Sequence, residues 1–453
     1  MPIITSIQTE RLSLQIDVLQ NIPVNRISLL TGPNGSGKTE LLSSAARYLV
    51  SERLLRSNID TRSRVNFFGL CSGVITQTFS PFSRFPSSGG GFRAESFISR
   101  SGTDFYTCIG ISQTKMYTAR TLTRHTLEDA LYRLAENESM ISTLFQILHN
   151  LGYKSNFHLK YRANSAMNKL REIVRTHGAD ALKSELRRAG YTASRAFESI
   201  FSKLASGEGY DLVASAIEIS SNFQTSENHY ELNFNFYEKN INDFAVFQSF
   251  ALLRRLGLIK LDGFFLIDEK YSAPMDVTQT SSGQQQMLCS MLSLASALRD
   301  DSIVLIDEPE LSLHPTWQYL YMDSLFAVLK QFQGCHVLIA THSPLIVQQG
   351  SKNGADVIQL NGGSSAPKPN FDLNIDASQS IESTLIDVFK TPVTDSVYLA
   401  NEVLSAVVSA EEDSINLGRS LDSLYALLEI YSNSTNGDRK SVELIKQAID
   451  CLS

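Results

Sequence analysis

One stretch near the N-terminus limits the fold more than any other: Arg26-Ile27-Ser28-Leu29-Leu30-Thr31-Gly32-Pro33-Asn34-Gly35-Ser36-Gly37-Lys38-Thr39-Glu40-Leu41-Leu42. A short apolar run reads as a buried strand, a glycine-rich turn follows, and a helical pattern begins near Lys38. This is G-x-x-x-x-G-K-[ST] between a strand and a helix, the setting of a phosphate-binding loop in an α/β fold. Glycines 32, 35 and 37 let the backbone curl so that successive N–H groups point inward as an anion nest. Gly32, Pro33, Asn34, Gly35, Ser36, Gly37, Lys38 and Thr39 are therefore candidate ligands of the ATP phosphates. Lys38 can reach the β- and γ-phosphates, and the Thr39 hydroxyl can ligate Mg²⁺.

The chain has 453 residues, more than one hydrophobic core usually serves, so two lobes or one elaborated domain are expected. No segment offers about 18 uncharged apolar residues in a row, and the N-terminus has no basic-then-apolar leader pattern, so a cytoplasmic protein without membrane contact is expected. Cys71, Cys108, Cys289, Cys335 and Cys451 are scattered and lack C-x-x-C spacing; they read as buried thiols, not as a disulfide frame or zinc site. The net charge of −7 is unevenly spread. Residues 151–205 hold 11 Lys/Arg against 4 Asp/Glu, and residues 370–453 hold 5 against 14. Such opposite charges imply either internal pairing or two partner surfaces.

Residues 3–30 alternate as strands, 38–56 read as a helix, and Val65–Gln77 reads as further strand. Ser80–Gly102 is rich in Gly, Ser and Pro and is expected to be a loop. Residues 122–205 read as helical throughout, with a strand at 230–237, a helix at 241–257 and a strand at 262–268 to follow. Four domains are expected: an N-terminal ATPase lobe, 1–121; a mainly helical insertion, 122–260, basic in 151–205; a second ATPase lobe, 261–361; and a helical tail, 373–453, after a linker at 362–372. Apolar stripes on the tail helices suggest an oligomer or partner-docking surface, the alternative being simple capping of the core.

The strand Ile303-Val304-Leu305-Ile306 ends in Asp307-Glu308-Pro309. Asp307 is placed to hold the Mg²⁺ shell, and Glu308 to orient or deprotonate the attacking water. Phe264–Glu269 has the same form, but only 303–308 follows a serine-tipped helix and precedes a histidine strand. That helix starts at Thr280-Ser281-Ser282-Gly283-Gln284, where hydroxyls and free N–H groups can meet an anion; a plain serine cap would explain Ser-Gly alone. His342, at the end of Val337–Ala340, stands where α/β sheets bind ligands and can contact a γ-phosphate. His314 reads as structural or as lining a subunit interface.

In this order, the phosphate loop, Ser-Ser-Gly-Gln-Gln, Asp-Glu-Pro and a strand-end histidine resemble the ABC-type ATPase head. Glu310-Leu311-Ser312-Leu313-His314-Pro315 departs from the transporter D-loop and, with Thr341-His342-Ser343-Pro344, is similar to heads of the RecF/SMC/overcoming-lysogenisation-defect group. Size, helical tail and the lack of a long coiled coil resemble the PtuA ATPases of bacterial Septu anti-phage systems, including retron-linked relatives. The resemblance implies head-to-tail dimers in which Lys38 and Thr39 of one copy hold ATP against Ser281, Ser282, Gly283 and Gln284 of the other. It also implies a glutamine in the Mg²⁺ shell, for which Gln77 is the candidate, and a separate HNH-type nuclease under the control of this subunit. Higher homo-oligomers belong to the same expectation. The basic charge of residues 151–205 points separately to contact with DNA or retron RNA/DNA, the alternatives being a solvated helical face or one docked against the acidic tail. The alternatives are a RecF-type repair or recombination ATPase and a nucleotide-dependent scaffold with negligible hydrolysis.

Overall fold

The computed structural model describes residues 1–16, 24–53, 63–80, 83–86, 98–100, 105–110, 119–135, 138–188, 208–235, 241–270, 272–360, 380–412, 414–432 and 439–452. The chain divides into two compact units. The first comprises Met1–Pro86, Arg299–Phe326 and Gln333–Ser453; the second comprises Ser87–Leu298 and Ala327–Phe332.

The first unit is built on parallel strands in the order Asp356–Gln359, Arg26–Thr31, His336–Ala340, Ser302–Asp307 and Gly73–Thr78. Arg26–Thr31, His336–Ala340 and Ser302–Asp307 are buried along their whole length. That is why they read as continuous apolar runs and not as alternating ones. Helix Lys38–Arg53 packs against Ser302–Asp307, burying Leu41, Leu42, Ala45 and Leu49. A small antiparallel sheet, Ser13–Gln15, Ile3–Gln8 and Arg64–Phe68, completes this part. The stretch 65–77, expected as strand, thus holds two strands in different sheets. Gly69, at φ +92°, breaks it, because an added Cβ would lie 2.3 Å from the Met1 carbonyl.

Helices Val397–Glu412, Ser414–Ser432 and Arg439–Leu452 close the first unit around a core that includes Leu399, Leu424, Tyr431 and Ile445. The expected helical tail opens on a short turn, Ile381–Ser383, continued by a wider one over Thr384–Val388. Gln359 Nε2 donates to the Val388 carbonyl at 2.6 Å and ties this turn to the sheet. Cys451 is exposed, against the expectation of a buried thiol, because it lies on the outer side of the last helix. The expected linker at 362–372 lies outside the described residues.

The second unit holds an antiparallel sheet in the order Pro274–Asp276, Ile259–Asp268, Tyr153–Ala163, His229–Asn235 and Gln224–Ser226. The eleven-residue strand Tyr153–Ala163 corrects the expectation of helix throughout 122–205. From Phe157 onward its buried residues recur with a period of two: Phe157, Leu159, Tyr161 and Ala163 face the core, and His158, Lys160 and Arg162 alternate with them. A short strand, Ile98–Arg100, pairs with Tyr106–Gly110 inside the stretch expected to be loop. Helices Ala119–Ala135, Glu138–Asn150, Ser165–Arg188, Glu208–Ser221, Ile241–Arg255 and Ser282–Ala297 belong to this unit. Gly178, at φ +74°, kinks the third of them. The core carries a satisfied polar knot: Tyr161 donates to Glu128 at 2.5 Å, and Arg254 pairs with Glu128 and Asp129. The part of the basic insertion beyond residue 188 lies outside the described residues up to 207.

Among the described residues, no helix is long and apolar enough to cross a membrane.

Candidate functional site

The parallel register decides which acidic pair can serve a phosphate loop. Ser302–Asp307 and Arg26–Thr31 both pair with His336–Ala340, so Asp307, Glu308 and His342 emerge at the same sheet edge as the loop. The competing pair, Asp268 and Glu269, ends a strand of the antiparallel sheet in the second unit. There Glu269 pairs with His149 at 2.7 Å.

At that edge, Asn34, Gly35, Gly37, Lys38, Thr39, Glu40, Ser80, Arg84, Asp307, Glu308 and His342 line a cavity of about 470 Å³. The loop conformation requires its glycines: Gly32, Gly35 and Gly37 have φ of +145°, +80° and +90°. A Cβ on Gly32 would meet the Leu360 carbonyl at 2.4 Å, so the loop is held tight against the next strand end. Lys38 Nζ donates to the Gly32 carbonyl at 2.7 Å, the Pro33 carbonyl at 3.1 Å and Ser36 Oγ at 3.2 Å. Its ammonium thus sits inside the loop, in reach of any anion the nest receives.

Thr39 Oγ1 donates to Asp307 Oδ1 at 3.0 Å. Burial pushes the Asp307 carboxyl up to about 6; the Thr39 hydrogen bond opposes this, while Glu308 and Glu310 add to it. Burial pulls Lys38 down to about 8, against the pull of Glu308, Glu310 and Asp307. Each charge is therefore held at a cost that a bound counter-charge would relieve. Among the described residues no group of three or more His, Cys, Asp or Glu gathers as a self-sufficient metal site. One hydroxyl and one carboxylate are instead a donor set that leaves positions for phosphate oxygens and water, which suits Mg²⁺.

Glu308 has φ +49°, a strained value for a non-glycine residue, and its N–H is fixed by the Ala340 carbonyl at 2.9 Å. The turn presents its side chain at the cavity. Burial, and then the Lys38 charge, lower the pKa of His342, with Glu308 opposing. The imidazole is accordingly neutral near pH 7 and able to donate as well as accept.

Glu310 opens the Glu310–Pro315 motif but was given no part in the site. One of its carboxylate oxygens accepts the His342 backbone N–H at 2.6 Å, and the other is buried with no partner. Burial raises its pKa. Ser80 and Arg84 also line the cavity without having been expected there. Gln77 is buried on Gly73–Thr78, and its carboxamide oxygen accepts from Tyr321 Oη at 3.2 Å; it is not among the lining residues.

Ser281, Ser282, Gly283 and Gln284 lie in the second unit. They start helix Ser282–Ala297 with a reciprocal cap: Gln284 N–H donates to Ser281 Oγ at 3.3 Å, and Ser281 N–H donates to Gln284 Oε1 at 3.0 Å. Ser281 and Ser282 are exposed. His314 is exposed and accepts from the Thr316 N–H at 3.4 Å at the start of helix Pro315–Leu329, a structural role.

Parallel sheet, phosphate loop and the Asp307–Glu308 edge together define a nucleotide-binding P-loop ATPase domain of α/β fold. Residues 142–348 match the family model of an AAA domain, described as putative AbiEii toxin, Type IV TA system. This span takes in the serine-tipped helix, Asp307–Glu308 and His342. A segment of 73 residues is 36% identical to Protein ea59 of Escherichia phage lambda, covering 16% of this chain and 14% of that protein. Among solved structures, the Smc head domain of Pyrococcus furiosus, crystallised with an extended coiled coil and the C-terminal domain of ScpA, is similar over 81% of this chain and 95% of that one. Its identity is 12% and its TM-score 0.31, a likeness too loose to carry an argument.

Proposed function

We propose that the chain is an ABC-type ATPase subunit that binds and hydrolyses ATP, dimerises head-to-tail around it, and regulates a separate HNH-type nuclease in a bacterial anti-phage defence complex. The observation that carries the ATPase reading is the convergence of Lys38, Thr39, Asp307, Glu308 and His342 on one cavity. The loop N–H groups and Lys38 would hold the phosphates, and Thr39 and Asp307 would hold Mg²⁺, which supplies neutralisation of phosphate charge. Gln77 would join that shell only by giving up its bond to Tyr321. Glu308 would orient and deprotonate the attacking water, and the neutral His342 would hydrogen-bond the γ-phosphate. The defence reading rests on the order and wording of the motifs.

Replacing Glu308 by glutamine tests this. The variant should bind ATP, lose phosphate release at least a hundredfold, and accumulate as an ATP-dependent dimer in analytical ultracentrifugation. Unchanged turnover, or a monomer at saturating ATP, would refute the reading. A pull-down with an HNH-type protein encoded beside this chain checks the partner.

A further inference from the structure

The second unit presents one sheet face whose composition the ATPase reading does not use. From Asn156 to Arg162 the strand Tyr153–Ala163 turns Phe157, Leu159 and Tyr161 inward and Asn156, His158, Lys160 and Arg162 outward, with no acid among the four. Strand register brings Asn233 beside His158, Glu231 beside Lys160 and His229 beside Arg162 on one flank. On the other flank Phe265 lies beside His158 and Lys260 beside Arg162.

Phe265 is seated in an unusual way. A Cβ on Gly263 would fall 2.5 Å from Phe265 Cε2 and 3.0 Å from Cζ, so one edge of the ring occupies the space that a side chain there would fill. The His158 ring stands 5.4 Å from it, and Lys160 Nζ lies 5.6 Å from its centroid. Glu231 holds Lys160 at 3.0 Å, and Asp262 holds Arg162 at 2.7 Å; these pairs keep both cations standing on the face, with side-chain exposures of 44% and 59%. Lys260 is exposed beside them.

We propose that this face binds a single-stranded nucleic acid, with one base stacked on Phe265 and the backbone phosphates following His158, Lys160, Arg162 and Lys260. Outward residues on one strand recur about every 6.7 Å, a step commensurate with the phosphates of an extended strand. An aromatic ring flanked by cations and amides is how sheet surfaces hold unpaired bases, whereas a paired base offers no free face to stack. Glu231 and Asp262 offset part of the charge, so binding is of moderate strength and strongly salt-dependent.

The test uses the full chain and fluorescein-labelled 20-mers of dT and U in anisotropy titrations at low and physiological salt, with a duplex 20-mer as comparison. Binding of dT, U or both, weaker for the duplex and falling with salt, supports the proposal. Phe265→Ala should weaken it about tenfold, Phe265→Trp should retain it, and Lys160→Gln with Lys260→Gln should lower the salt slope. Circular dichroism melts identify any variant that fails to fold, and Phe265→Trp then carries the aromatic test alone. No binding of either single strand at low salt overturns the proposal. So does equal binding of the duplex, or binding that is indifferent to both Phe265→Ala and the lysine pair.

Discussion

Thr39 and Asp307 stand 268 residues apart in the chain, and the threonine hydroxyl donates to the aspartate at 3.0 Å. This bond joins the first turn of the loop helix to the end of a central strand. It also stabilises a carboxylate that the protein buries at 3% exposure.

The aspartate therefore costs stability while it serves nucleotide binding. Its pKa in the folded protein, about 6, lies above the ordinary value, so its favourable contribution is complete below pH 4 and is lost as pH rises through 6. Asp307→Asn should raise the thermal midpoint at pH 7.5, by about 1 to 3 kcal/mol of stability, with the gain shrinking towards pH 4. The same variant should lose Mg²⁺-dependent nucleotide binding in calorimetry. A variant less stable than the parent at pH 7.5 would contradict the picture.

A second titration lies at the far end of the sheet. His336 is fully buried, its Nδ1 accepts the Ile4 N–H at 3.1 Å, and burial with the nearby Arg26 charge holds its pKa down to about 3. A depressed pKa gives stability that is present above pH 6.5 and lost as pH falls towards 3. Denaturant unfolding should thus show a loss of roughly 3 kcal/mol from this group between pH 6.5 and pH 4. His336→Gln, which retains an acceptor, should flatten that limb.

Glu310 clamps the backbone of the residue read as the γ-phosphate contact. Glu310→Ala should free the His342 N–H and lower kcat about tenfold, with little change in nucleotide affinity. Glu310→Gln, which keeps an acceptor at that place, should recover most of the rate. A loss of affinity equal to the loss of rate would show that the residue only supports the loop.

The proposed head-to-tail dimer predicts complementation. A mixture of Lys38→Ala and Ser281→Arg chains should regain up to about a quarter of wild-type ATP turnover, although neither variant alone is active. A mixture as inactive as both parents, measured on chains that fold and associate, would exclude a composite pocket.

The sequence made the site legible where function forces local pattern. The glycines of the loop, Lys38–Thr39, Asp307–Glu308 and the strand-end His342 all depend on neighbours a few residues away, and the structure brings them together as expected. Glu310 was legible as part of a motif but not as a neighbour of His342, because its partner is a backbone N–H 32 residues later. Tyr153–Ala163 was misread because helical segments surround it, and its basic residues hid a period of two that only pairing with His229–Asn235 and Ile259–Asp268 enforces. Gln77 sits at a strand end as expected, yet Tyr321, 244 residues further on, holds its side chain.

The strand order also bears on how the protein is made. Arg26–Thr31 leaves the ribosome early, but its two sheet neighbours, His336–Ala340 and Asp356–Gln359, are synthesised about 300 residues later. Until then a strand that is buried along its whole length in the folded chain has both edges unsatisfied, so the nucleotide pocket is acquired late in synthesis. Nascent chains arrested before residue 336 should accordingly depend on holding chaperones to stay out of aggregates.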